Sequence, residues 1–232
     1  MIYEDIESRF VIIVAGGYLL LQQDFILLSS IHYKIIRNMK IFKNTAAVLS
    51  ILCISLFANA QKVKTTSGDK DILKPETAIN IEFTYDNISV GKYKNEQDYI
   101  KDKTAEYNKK EAGKGDTWAA SWINDRKSRY EPKFIELFTE NSKMTVSTDA
   151  KYTLIFKLVS IEPGYNIGIS RKNAQIDAEV WIVETSNKTN KLATFTIDNV
   201  PGGTAFGYDF DTGLRISEAF AKAGKQLGKS LK

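Results

Sequence analysis

The chain has 232 residues, a formal net charge of +4, and charged residues of both signs that make up 26% of it. So small a net charge is ordinary for solubility and does not indicate a nucleic-acid-binding protein. The single cysteine, Cys53, and the single histidine, His32, both precede residue 61. For the chain after residue 60, this excludes disulfides, Ser-His-Asp and Cys-His catalysis, and most zinc sites.

A secretory signal peptide is predicted over residues 39–60. A short basic head, an apolar run over residues 46–57 and the small residues Ala58-Asn59-Ala60 follow one another in the order typical of such peptides. The apolar run is too short to cross a bilayer, which takes roughly 20 residues. We therefore expect cleavage between Ala60 and Gln61.

Residues 1–38 contain two apolar runs separated by Gln22-Gln23-Asp24. A membrane span is one interpretation, but three strongly polar residues within it would make insertion costly. We favour an upstream extension that is not part of the mature protein, because a complete signal peptide begins directly after it. Lipidation of Cys53 is a less favoured alternative, since Leu52 rather than a small residue precedes that cysteine.

The first half of the mature chain is predicted to hold a strand and two or three helices. A polar, flexible lead-in is expected over residues 61–76, followed by a single domain over residues 77–232. Residues 78–86 alternate between apolar and polar side chains, which indicates a strand with one buried face. A charged helix is predicted over residues 96–111.

The second helix is expected to follow Gly113-Lys114-Gly115, with Asp116 or Thr117 as its cap. Pro132 is expected to restart the chain as a further helix rather than to continue the second one, because proline lacks the backbone N–H.

The second half is predicted to be mainly strands, over residues 152–161, 175–184 and 191–199. Their short connections favour an antiparallel meander. A last helix is expected to begin at Asp211 or Thr212, with an apolar stripe at helical spacing. The fold class expected is therefore α+β: a single domain with helices packed on a mixed, largely antiparallel sheet and a closing C-terminal helix.

Two stretches before the last helix are similar to ligand motifs. Residues 201–207 are rich in glycine, but their spacing fits no phosphate-binding pattern, so a tight connection is favoured. Residues 209–213 resemble the start of a calcium loop, but the glycine is out of place and no closing glutamate follows, so helix capping is favoured. We predict no catalytic residue, metal site or cofactor.

Tryptophans supply the candidate binding residues. Trp118 and Trp122 lie one helical turn apart, and Arg126 and Tyr130 continue the row. Such a row either packs against a sheet, which we favour, or is exposed and stacks on sugar rings or on a partner protein. Trp181 lies on the outward face of a predicted strand. The candidate binding residues are thus Trp118, Trp122, Arg126 and Trp181.

The chain from Asp149 onward resembles a known group of domains. The features that carry the resemblance are a strand ending at Pro163-Gly164, a strand with Val180-Trp181-Ile182-Val183, and Gly202-Gly203 before a helix with Ala219-Phe220 and Ala223-Gly224. This order is similar to small bacterial cell-envelope domains of uncharacterised function, distantly like the domain of the curli-secretion lipoprotein. The resemblance implies helices on a mixed sheet, in the periplasm or at the outer membrane. It transfers no functional residue.

Three hypotheses for function follow. The leading one is an exported, non-catalytic cell-envelope protein, periplasmic or secreted and with outer-membrane association as an option, which binds an unknown envelope protein or glycan through a sheet face or edge. The alternative is a carbohydrate- or small-ligand-binding module that uses the tryptophans. The third, a hydrolase with Asp and Glu residues, lacks a convergent pair in the sequence. We expect no nucleic-acid partner and no stable membrane span in the mature chain.

The signal-peptide interpretation predicts the mass of the native protein. Intact mass spectrometry of protein from the cells that make it should give a chain that begins at Gln61, because small residues at the end of the apolar run mark the cleavage point. A species that retains residues 1–38 would contradict the prediction.

Overall fold

The structure is a computed structural model that describes residues 63–167, 169–203 and 212–232. The predicted extension over residues 1–38, the signal peptide over residues 39–60, and the calcium-like residues Asp209 and Asp211 lie outside these described residues.

Nine strands and four α-helices are found within the described part of the chain. The strands are β1 (Val63–Gly68), β2 (Ala78–Thr84), β3 (Ser89–Val90), β4 (Thr145–Val146), β5 (Tyr152–Glu162), β6 (Tyr165–Ile167), β7 (Ser170–Lys172), β8 (Gln175–Glu184) and β9 (Ala193–Pro201). The helices are α1 (Glu96–Lys110), α2 (Lys114–Asp125), α3 (Glu131–Ser142) and α4 (Thr212–Ser230).

The main sheet is mixed, in the strand order β1-β9-β8-β5-β2-β4, and β3 also pairs with β5. Strands β5, β8, β9 and β1 pair antiparallel. Strand β2 runs parallel to β5 and to β4. A parallel pair needs a crossover connection, and the helices α1 to α3 lie in the chain between β2 and β5. The expected α+β fold, with a mixed and largely antiparallel sheet and a closing helix, is confirmed.

Aromatic side chains hold the helices on one face of the sheet. The ring of Phe134 on α3 lies 4.8 Å from that of Phe156 on β5 and 5.3 Å from that of Phe83 on β2. On α4, Phe220 stacks 5.0 Å from Tyr130 and lies 5.6 Å from Phe156. Burying one such ring contributes about 2 kcal/mol. One cluster thus joins the sheet to both helices.

Helix α4 packs closely against α3 because its contact face carries glycines. A Cβ placed on Gly224 would lie 2.2 Å from the carbonyl oxygen of Phe134, and one on Gly228 would lie 2.7 Å from that of Phe138. The predicted apolar stripe of the last helix is fully buried, from Ile216 to Leu227. The glycines thus let α4 approach the backbone of α3 closely.

A π-helical turn, Arg126–Tyr130, joins α2 directly to α3. Side chains four residues apart, such as Tyr130 and Phe134, must face the core on the same side of the helix. In an α-helix, four residues rotate about 40° beyond one full turn, so such side chains drift around the axis. The wider turn takes up the excess and returns Tyr130 and Phe134 to the core. In this turn, the backbone N–H of Glu131 donates to the carbonyl of Arg126. The next residue, Pro132, has no N–H and therefore needs no acceptor.

These elements correct several sequence expectations. Pro132 lies in the first turn of α3, as expected, but the chain does not leave the helical path before it, because the π-turn joins α2 to α3. Helix α2 begins at Lys114 rather than after a cap at Asp116 or Thr117, with Gly113 at φ +79° as its N-cap. Residues 63–76, the described part of the expected flexible lead-in, are paired and packed in the structure. Strand β1 pairs with β9, and Leu73 is fully buried. After Val63, the side chains of β1 are exposed, so backbone hydrogen bonds to β9 hold this edge strand and no apolar pattern marks it.

We predict that Gly224→Ala destabilises the domain by about 1–3 kcal/mol, since the added methyl overlaps the Phe134 carbonyl of α3 and two packed helices must separate. Urea unfolding would measure the change. The matched control is Lys225→Ala on the exposed side of the same helix, where the free energy of unfolding should change by less than about 0.5 kcal/mol. Equal effects of the two substitutions would contradict the close packing.

Candidate functional site

The tryptophan row splits between the core and the surface. Trp122 is 4% exposed and Tyr99 of α1 is 7% exposed, with their rings 5.0 Å apart. Trp118 is half-buried and lies 5.7 Å from both of these rings and 5.6 Å from that of Tyr107. The packing that we favoured therefore accounts for Trp122. Trp118 is held by its aromatic neighbours and keeps one side available to solvent.

A buried carboxylate fixes the position of this row. The indole N–H of Trp122 donates to Oε1 of Glu96 at 2.7 Å, and Arg126 pairs with the other oxygen of the same carboxylate. Glu96 is 5% exposed. The Arg126 guanidinium also lies 4.5 Å from the centroid of the Tyr85 ring, a cation–π contact. Arg126, predicted as a binding residue, is thus engaged inside the domain.

Tyr85 and Glu131 extend the network to α3. The Tyr85 hydroxyl donates to Oε1 of Glu131 at 3.2 Å, and Lys127 pairs with Oε2 of Glu131 at 2.9 Å. Burial raises the pKa of Tyr85, and the Glu131 carboxylate raises it further, so this hydroxyl remains a donor. The network connects the residue after β2 with α1, α2, the π-turn and α3.

Trp181 lies far from the other candidates in the fold. It alternates with the core residues Val180 and Ile182 on β8, so it faces away from the helices. The ammonium of Lys191 covers its ring at 3.9 Å from the centroid. The four predicted binding residues are therefore not brought together: Trp118, Trp122 and Arg126 lie on the helix side, and Trp181 on the open face of the sheet.

The turn between β8 and β9 lies across part of that open face. Lys188 of the turn pairs with Glu82 of β2 at 2.6 Å, two strands away from β8. Oγ1 of Thr185 lies 2.9 Å from Oγ1 of Thr153 on β5. Beyond the turn, Lys157 and Glu179 form a pair at 3.8 Å. The open face is thus polar and internally paired rather than a broad apolar docking surface.

A cleft of about 520 Å³ opens beside Trp118, between α2, the π-turn and the first turn of α4. Its lining combines two tryptophans with polar side chains and the start of α4: Trp118, Ser121, Trp122, Asn124, Asp125, Ser128, Arg129, Thr212 and Gly213. An aromatic wall with a few polar groups on rigid elements is the usual composition of a ligand site. We call this the Trp118 cleft.

Asp125 and Arg129 form the charged end of the Trp118 cleft. Nε of Arg129 lies 3.1 Å from Oδ1 of Asp125. The side chain of Arg129 is 42% exposed and that of Asp125 is 14% exposed. A Cβ on Gly213 would lie 1.9 Å from Oδ2 of Asp125, so the carboxylate sits against the N-terminal turn of α4, where a negative charge is favourable. Sequence reasoning missed both residues. Their spacing from Trp118, at i+7 and i+11, places them on the same helix face as Trp118 and could have indicated that they belong to its site.

The described residues offer little for other kinds of site. No group of three or more His, Cys, Asp or Glu side chains in this part of the chain is placed to hold a metal ion. No helix among them is long and apolar enough to cross a membrane. The outward carboxylates of β8 are engaged with neighbours: Asp177 accepts from the backbone N–H of Asn199 at 2.6 Å, and Glu179 pairs with Lys157.

Comparison with known proteins gives distant structural likenesses. No family model matches the chain, and no curated protein matches it in sequence. The PelC dodecamer from Paraburkholderia phytofirmans is 13% identical, with a TM-score of 0.33 over 72% of this chain and 97% of that one. A Xanthomonas campestris protein of the DUF330 family is 11% identical, with a TM-score of 0.34 over 66% of this chain and 82% of that one. Both structures are of bacterial proteins, as is the group of domains that the sequence from Asp149 onward resembles.

The buried network predicts a large effect of Glu96→Ala. The substitution leaves the Arg126 guanidinium and the Trp122 N–H without their acceptor in a buried site, so we expect a loss of about 3 kcal/mol or more in the free energy of unfolding. Urea unfolding would measure it. The control is Glu106→Ala on the same helix, whose pairs with Lys103 and Lys110 are on the surface and should be worth less than about 1 kcal/mol. Similar losses in the two variants would contradict the assignment.

Proposed function

We propose that this chain is an exported, non-catalytic domain of the bacterial cell envelope that binds another envelope component in the Trp118 cleft. Support for export comes from the sequence, in the signal-peptide pattern over residues 39–60. Support for binding comes from one observation: Trp118 is clamped by buried aromatic rings yet half-exposed to a cleft lined with hydroxyl, amide and charged groups. A rigid aromatic ring of this kind provides contact area at little cost in side-chain entropy.

The geometry favours the Trp118 cleft over the sheet face of the leading hypothesis. The open face has its tryptophan under a lysine and its charges paired across strands. A partner would have to break those contacts before it gained new ones. The cleft also contains a charge pair, Asp125–Arg129, but its tryptophan lies on α2, and the Glu96 network holds α2 and the π-turn in place. The site is therefore preorganised without the ligand.

Binding to the envelope can be tested by co-sedimentation. We expect the purified protein to pellet with an insoluble cell-envelope fraction of the organism that makes it, and Trp118→Ala to weaken this binding about tenfold, as loss of a central aromatic anchor does. Trp181→Ala is the matched control and should pellet like the unaltered protein. Circular dichroism would verify that both variants are folded.

Failure of the unaltered protein to pellet would contradict the proposed binding function. Equal binding by the unaltered protein and a folded Trp118→Ala variant would instead remove the cleft from the proposal.

A further inference from the structure

A second depression lies on the other side of Trp118. It measures about 550 Å³ and is formed by the corner between α1 and α2, with Glu111, Ala112, Gly113, Lys114, Thr117 and Trp118 as its lining. Trp118 contributes to both depressions, and their other lining residues differ. Along α2, the corner depression is N-terminal to Trp118 and the Trp118 cleft is C-terminal to it. The two depressions meet at the Trp118 indole, and together we call them the groove.

The groove follows one side of α2 over its whole length. Lys114, Thr117, Ser121, Asn124 and Ser128 recur at three- and four-residue spacing, so they form a polar row beside the indole. At 1.5 Å per residue, this row extends over roughly 20 Å. Thr117 and Ser121, the neighbours of Trp118 in the row, are both exposed. A groove of this length and openness suits an extended chain better than a compact small molecule.

The charges of the groove balance one another. Lys114 pairs with Glu111 at 2.9 Å in the corner depression, and Arg129 pairs with Asp125 at 3.1 Å in the Trp118 cleft. Each depression therefore contains one cation and one anion, already matched. A polyanion or polycation would meet a like charge in both depressions, and would gain little from either pair. The groove complements a chain that carries hydroxyl and amide groups but no net charge.

We propose that the groove binds a linear, uncharged glycan, with one sugar ring stacked on Trp118 and the flanking units in the two depressions. A sugar ring presents an apolar C–H face to an indole while its edge hydroxyls bond polar side chains, and the groove provides both kinds of contact. This proposal rests on the proposed envelope-binding function and names the chemical class of the ligand.

Chain length and the Trp118 ring are the two variables of the test. Calorimetry would be run on the unaltered protein with cello-, N-acetylated chito-, xylo- and manno-oligosaccharides, each as the disaccharide, tetrasaccharide and hexasaccharide. We expect at least one series to bind, with affinity that rises about tenfold from disaccharide to tetrasaccharide as the flanking depressions fill. Oligogalacturonates of the same lengths, which carry a charge on each unit, should bind more weakly.

Two variants assign the binding to the groove. Trp118→Ala should lower hexasaccharide affinity about tenfold. Ser121→Arg, at an exposed position next to the indole, blocks the path without removing packed atoms, and should reduce the gain from disaccharide to hexasaccharide. Ser186→Arg, in the turn on the opposite side of the sheet, is its matched control and should bind every length like the unaltered protein.

Three outcomes would overturn the proposal: no binding of any uncharged series, stronger binding of the oligogalacturonates, or binding that Ser121→Arg and a folded Trp118→Ala variant both leave unchanged. If the protein still pellets with the envelope fraction in a Trp118-dependent way, the envelope-binding function stands and the glycan assignment alone fails.

Discussion

The carboxylate of Glu96 is the contact on which the helical half of this domain depends. Its two oxygens bind the Trp122 indole and the Arg126 guanidinium, so one side chain at the start of α1 holds both α2 and the π-turn. A buried anion is tolerated only when it is paired and hydrogen-bonded, and here both conditions are met. Because the carboxylate of Glu96 binds both Trp122 and Arg126, each of these three side chains is held in one orientation. Trp118, packed against Trp122, acquires its fixed position from that arrangement.

The two faces of the sheet differ in composition. The helix side is a continuous apolar and aromatic layer, in which Phe134, Phe156 and Phe220 connect α3, β5 and α4. The other side is polar, and cross-strand pairs and the turn after β8 occupy it. Among the described residues, no second helical layer covers this face, and its paired polar groups make it compatible with water.

Sequence periodicity predicted the elements whose side chains alternate between core and solvent. Strand β8 and helix α4 were correct because their apolar spacing reports directly on burial. Strand β1 was missed, since an edge strand is held by its backbone bonds to β9 and needs no apolar pattern. Arg126 was predicted as a binding residue because it continues the row of Trp118 and Trp122, and its partner Glu96 lies 30 positions earlier in the chain. The Trp118 cleft was missed for a related reason. Its lining combines α2 and the π-turn with the start of α4, and only the fold brings those segments together.

The pairing of β1 with β9 has a consequence for when the domain can fold. The hydroxyl of Thr66 donates to the carbonyl of Thr194, 128 positions later in the chain. The pairing of β2 with β5 likewise spans the chain segment that contains α1, α2 and α3. Contacts so remote in sequence form slowly, because loop closure must precede any stabilisation from them. A growing chain cannot complete this sheet until nearly all of it has been made. For a protein with a signal-peptide pattern, slow closure of the sheet leaves the new chain unfolded for longer, and an unfolded chain is the form that can pass through a membrane pore.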